Sequence, residues 1–175
     1  MSFITLVCAT HRPGNKTQKV VALYQDILDH LDIPHRTLKM EDMPDDLISS
    51  DSFGKRSSEL ERILDESIRP ADHLIIISPE YNGSYPGFFK AFLDNIHPRE
   101  FHGKKAALVG VASGRAGNLR GMDHLTDVLH HLKVEVYHDK VPISRLEDLL
   151  DQDGNLRDDA TRQVLERQIK GFLVF

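Results

Sequence analysis

A chain of 175 residues, 40% hydrophobic and 28% charged, fits one globular domain that buries roughly 70% of the surface its unfolded chain exposes, which excludes intrinsic disorder. Its longest apolar runs, residues 74–77 and 106–112, fall far short of the ~18 residues a membrane-spanning helix needs. With 22 Lys plus Arg against 27 Asp plus Glu, a net charge of −5, it has no cationic excess to release counterions from a nucleic acid. The single Cys8 cannot close an internal disulfide, and the first residues lack the pattern of a secretory signal, so the expectation is a soluble, cytoplasmic protein.

In chain order, apolar runs alternate with helical stripes. Residues 3–8 predict a first strand. After a polar loop, Val20, Val21, Tyr24, Ile27, Leu28 and Leu31 mark one apolar face of a first helix. Residues 36–40 predict a second strand and 41–53 a loop. Leu60, Ile63, Leu64 and Ile68 stripe a second helix that ends before Pro70. Residues 73–78 predict a third strand, whose β-branched run has the form of a strand covered on both faces. Pro86 then suits the first turn of a helix carrying Phe88, Phe89, Phe92, Leu93 and Ile96. Residues 105–112 predict a fourth strand and 113–120 a glycine-containing loop. Met122, Leu125, Val128, Leu129 and Leu132 predict the fourth helix, and 134–137 a short fifth strand. A polar stretch, 148–159, leads to a last helix with Val164, Leu165, Ile169, Phe172 and Leu173.

Five strands in this alternation predict an α/β fold: a doubly wound parallel sheet of flavodoxin-like order 2-1-3-4-5, helices on both faces, in a single domain over residues 1–175. Ligands of such sheets bind beyond the carboxyl ends of the strands, near the switch point. That rule selects three loops: 9–17, 79–86 and 113–120.

The first loop, Ala9-Thr10-His11-Arg12-Pro13-Gly14-Asn15-Lys16-Thr17, sets hydroxyls, an amide, cations and a glycine ahead of a helix N-terminus. Free N–H groups and the positive helix end favour an anion there. Capping is the simpler alternative use of Thr, Asn and Gly at such a place. A phosphate-binding P-loop fails on spacing, because Asn15 separates Gly14 from Lys16 and Ala9 stands near the first glycine's place. A phosphate-accepting receiver domain fails as well, since Ser78 stands where its Asp would be. The second loop, Pro79-Glu80-Tyr81-Asn82-Gly83-Ser84-Tyr85-Pro86-Gly87, joins stiff backbone to aromatic surface and can present main-chain groups edge-on to a flat heterocycle, or be a tight structural turn. The third, Ser113-Gly114-Arg115-Ala116-Gly117-Asn118, permits close approach to a ring's other edge.

Thr10-x-Arg12, the segment from Ser78 to Gly87 with Lys90 and Asp94, and Ser113-Gly114 together resemble the NADPH-dependent FMN reductase family. The likeness spans most of the chain, and Pro79-Glu80-Tyr81-Asn82 is its specific part. It implies a flavodoxin-like fold, bound FMN, NADPH or NADH as reductant, and a small-molecule acceptor such as a flavin, quinone or azo compound. By position it implies that Thr10, Arg12, Asn15, Lys16 and Thr17 hold the FMN phosphate. Pro79, Glu80, Tyr81, Asn82 and Gly83 would border the isoalloxazine, and Ser113, Gly114 and Arg115 its other edge. Asn15, Thr17 and Arg115 depart from the family pattern. The first two can still donate hydrogen bonds, whereas Arg115 either narrows the site or favours negative charge on reduced flavin or on the nicotinamide phosphate.

The resemblance also implies a homodimer or homotetramer through the helix with Phe88, Phe89 and Phe92, residues that could equally be core. No side-chain nucleophile is needed, because hydride transfer belongs to the cofactor. The histidines show no metal-ligand spacing, and Cys8 reads as a packed hydrophobe. A non-enzymatic FMN electron carrier or flavin sensor is the other reading. The basic character of loops 9–17 and 113–120 favours the enzyme.

Overall fold

The computed structural model describes residues 3–48, 56–155 and 159–175. Its elements are β1 (Ile4–Cys8), α1 (Thr17–His30), β2 (His35–Lys39), α2 (Ser58–Ile63), β3 (His73–Pro79), α3 (Gly87–Asp94), β4 (Lys105–Val111), α4 (Leu119–His131), β5 (Glu135–Val136), β6 (Val141–Ile143), α5 (Leu146–Leu149) and α6 (Asp159–Leu173). All strand pairs are parallel, and the sheet runs β2-β1-β3-β4-β5 with β6 also on β4. This is the flavodoxin-like order. α2 continues into a π-helical turn, Leu64–Ile68, which completes the predicted second helix. Part of the predicted loop 41–53 and of the polar stretch 148–159 lies outside the described residues.

The expected count of five strands is corrected to six. β5 pairs with β4 only at Lys105–Glu135 and Ala106–Val136, and β6 takes the upper half of the same edge at Val109, Gly110 and Val111. The predicted strand 134–137 is therefore shorter than expected. The chain leaves the edge after Tyr137, whose N–H bonds Ala106 O at 2.8 Å, and returns as Val-Pro-Ile.

Period-two burial divides the strands between two cores. Ile4, Leu6, Cys8, Ile75 and Ile77 face α1 and α6, whereas Val7, Leu74, Ile76 and Leu108 face α2, α3 and α4. Phe89 and Phe92 belong to the second core, each 1% exposed. Gln168 of α6 ties the first layer together. Its Oε1 accepts from Tyr24 Oη at 2.6 Å, and its Nε2 donates to Leu108 O and Asp139 O at 3.1 and 2.8 Å. That tie satisfies a fully buried amide and phenol and anchors the segment that leads into β6. Cys8 is buried, and burial above all pushes its thiol up to about 11, so it stays protonated at neutral pH. No helix among the described residues is long and apolar enough to cross a membrane.

Candidate functional site

β1, β3 and β4 end on one edge, and the order β2-β1-β3 reverses direction between β1 and β3. The loops that follow these strands meet there. Loop 9–17 stays in the ladder through Ala9, whose N–H bonds Ile77 O at 2.9 Å. Thr10 is fully buried. Its Oγ1 accepts the Arg12 N–H at 3.2 Å and shares a 2.7 Å hydrogen bond with Tyr81 Oη, joining the first loop to the second. Asn15 caps α1: its Oδ1 accepts the Gln18 N–H at 3.1 Å, and its Nδ2 donates to Arg12 O at 2.9 Å. The Asn15 side chain is thus already engaged in shaping the loop. Thr17 opens α1, lines the cleft described below and is 2% exposed. Lys16, just before it, pairs with Glu147 at 2.5 Å.

The second loop continues β3, since Glu80 N–H bonds Val111 O at 2.9 Å. Tyr81 and Ser84 then exchange two backbone hydrogen bonds, at 2.9 and 3.1 Å, around Asn82 and Gly83 at φ 51° and 77°. Two consecutive left-handed residues form the tight turn for which Asn-Gly is the preferred pair. A Cβ on Gly83 would meet Arg120 Nη1 at 2.9 Å, and Ser84 Oγ lies 3.1 Å from His124 Nδ1, so the turn is seated against α4.

The third loop is tied to the segment after β6. Ala112 N–H bonds Ile143 O at 3.0 Å, Arg145 N–H bonds Gly114 O at 3.1 Å, and Leu146 N–H bonds Ala112 O at 3.3 Å. At its far end Asn118, fully buried at φ 63°, donates from Nδ2 to Ser78 O at 2.9 Å.

These loops enclose a cleft of about 440 Å³, inside the roughly 300–1,000 Å³ range of small-molecule and cofactor sites. Of the predicted residues, Arg12, Asn15, Lys16, Thr17, Pro79, Glu80, Tyr81 and Ser113 line it. Thr10 lies behind the wall. Asn82, Gly83, Gly114 and Arg115 belong to the same loops but not to the lining. The reading from sequence missed Pro13, Gly14, Val111, Ala112, Leu146 and Glu147. The last two arrive with α5, which follows the unpredicted β6. Phe88 of α3 stacks on His11 with ring centroids 4.1 Å apart, beside the first loop.

The donor set is divided among the loops. The first brings the α1 N-terminus, the Thr17 hydroxyl, Arg12 and Lys16 to the lining, a combination suited to a phosphate. The other two bring Pro79, Tyr81 and residues 111–113, suited to the face and edge of a flat ring. The residues therefore fit a phosphorylated heterocycle.

Residues 2–147 match the family model described as NADPH-dependent FMN reductase. An NAD(P)H-dependent FMN reductase of Pseudomonas aeruginosa is 38% identical over 109 residues, 60% of this chain and 59% of that protein. A 2-hydroxy-1,4-benzoquinone reductase of a Burkholderia species is 30% identical over 122 residues, 67% of each. Among solved structures, a flavoenzyme NAD(P)H:(acceptor) oxidoreductase from Paracoccus denitrificans superposes with a TM-score of 0.81 at 22% identity, covering 99% of this chain and 96% of that one. That last likeness establishes the fold.

Proposed function

Because this chain belongs to the NADPH-dependent FMN reductase family, we propose that it is an FMN-dependent NAD(P)H oxidoreductase acting on a small flavin, quinone or azo acceptor. The observation that carries this reading is the cleft lining, which joins an anion cradle at the α1 N-terminus to a Tyr81-bearing wall at the switch point. When bound there, FMN supplies the hydride-accepting N5, through which electrons pass from nicotinamide to acceptor.

The chain's own residues bind and orient. Arg12, Lys16 and Thr17 hold the phosphate at the positive end of α1. Thr10 and Asn15 brace them, Thr10 through Tyr81 Oη and Asn15 through Gln18 N–H. Pro79, Glu80 and Tyr81 border the ring on one side, and Ser113 on the other. Asn82 and Gly83 form the turn that fixes Tyr81, and Gly114 and Arg115 stand outside the lining at the approach of the nicotinamide. Hydride transfer needs the two rings stacked and held, which is the work of these rigid loops.

The protein acts in the cytoplasm as a homodimer or homotetramer. Phe89 and Phe92 are committed to the chain's own core, so α3 meets a partner through the half-buried Phe88, whose stack on His11 adjoins the cleft. In an FMN-loaded sample, NAD(P)H is expected to be consumed steadily in the presence of a soluble quinone, monitored at the nicotinamide absorbance band. A flavin-loaded sample without turnover would contradict the enzyme and leave an electron carrier.

A further inference from the structure

Glu147 is a carboxylate placed on the wall of an anion cleft, where electrostatics alone would not put one. The backbone sets it there: Arg145 N–H is held by Gly114 O and Leu146 N–H by Ala112 O, so the start of α5 is fastened to the third loop and Glu147 stands opposite the first. Its Oε1 pairs with Lys16 Nζ at 2.5 Å, bridging loop 9–17 to α5. Both side chains are more than half exposed, at 57% and 62%, so the pair itself contributes little to folding. Its location is what matters, because Lys16 adjoins Thr17 and the helix N-terminus that would receive a phosphate.

We infer that Glu147 is a specificity-determining residue, one that engages Lys16 and thereby sets how tightly this chain holds a phosphorylated flavin relative to an unphosphorylated one. The inference rests on the flavin reading above. A dianionic phosphate entering the cleft must share Lys16 with a fixed carboxylate and also sit near that carboxylate's charge. Both effects weaken the phosphate contact and leave the ring contacts untouched. Riboflavin, which lacks the phosphate, is indifferent to Glu147.

The test is a titration of flavin-free protein with FMN and separately with riboflavin, followed by quenching of flavin fluorescence at low ionic strength, for wild type, Glu147→Gln, Lys16→Met and the double variant. Wild type is expected to prefer FMN over riboflavin. Glu147→Gln should tighten FMN by about five-fold while riboflavin stays within roughly two-fold, and 0.5 M salt should erase most of the gain. In the Lys16→Met background the gain should be at least halved. Unchanged or weaker FMN binding by Glu147→Gln would overturn the inference, as would a full gain without Lys16. Equal FMN and riboflavin affinity in wild type, or no binding of either, would instead overturn the phosphate reading on which the inference depends.

Discussion

Gly110→Ala is expected to destabilise the protein by about 3 kcal/mol, at the upper end of the penalty for forcing extra volume into a packed interior. The backbone conformation at Gly110 is ordinary, so the constraint is space. A Cβ there would stand 2.0 Å from Gly117 O and 3.0 Å from both Asn118 Cβ and Met122 Cε. The third loop folds back over the end of β4 so closely that its own carbonyl occupies the side-chain position. A main-chain oxygen on a loop pinned by Asn118 to Ser78 O cannot move aside as a flexible side chain would. At roughly 2–4 °C per kcal/mol for a domain of this size, the melting temperature should fall by about 6–12 °C. Because residues 111–113 form one wall of the cleft, FMN binding should weaken as well. Gly87→Ala, with nothing within 4 Å of the added Cβ, is the matched control and should shift stability by less than about 0.5 kcal/mol. Thermal unfolding of the two variants followed by circular dichroism decides the matter, and a Gly110→Ala protein as stable as wild type would contradict the packing described.

Thr17→Glu is expected to lower FMN affinity by about 100-fold, equivalent to about 2.7 kcal/mol, and to lower stability as well, because Thr17 is only 2% exposed. An acidic side chain in the first turn is favourable to a helix, by about 0.3–1 kcal/mol at exposed sites. At this nearly buried position the cost of seating a charged group outweighs that gain, so the melting temperature should fall while the fold is retained. The same carboxylate would occupy the positive helix end in place of the phosphate and repel it at close range. Riboflavin should lose far less, which separates an electrostatic effect from general damage to the cleft. Parallel fluorescence titrations with the two flavins, together with a melting curve, measure all three quantities. A Thr17→Glu protein that binds FMN as wild type does would remove the phosphate from the α1 N-terminus.

The central strands were legible because their apolar runs are continuous, and β1, β3 and β4 start and stop within a residue of the expected places. β6 was hidden for a physical reason. It is three residues long, with proline in the middle, and a proline without an N–H argues against strand in any short window. Pro142 is tolerated because β6 is an edge segment that pairs with β4 alone. Missing β6 meant missing α5, and with it Leu146 and Glu147, since nothing local in Leu-Glu-Asp-Leu says that it returns to the cleft. Asn82 and Gly83 show the converse case. Their local signal, Asn-Gly between two strand-like residues, was a turn signal all along, and the turn places them against α4 instead of the cleft. By residue type Thr10 and Asn15 are donors for a ligand, but their hydrogen bonds are largely internal to the loops. That distinction depends on where Tyr81 and Gln18 lie, which residue types alone do not reveal. Phe89 and Phe92 could be read equally as core or interface from spacing, and only the position of α3 over the sheet decides that they are core.

The most direct measurement is a visible absorption spectrum of the purified protein after incubation with excess FMN and removal of free flavin by gel filtration. Flavin bands that travel with the protein are the expected result, the retention that a phosphate-and-ring site between loops 9–17 and 79–86 requires. A protein that remains colourless after loading would contradict the account.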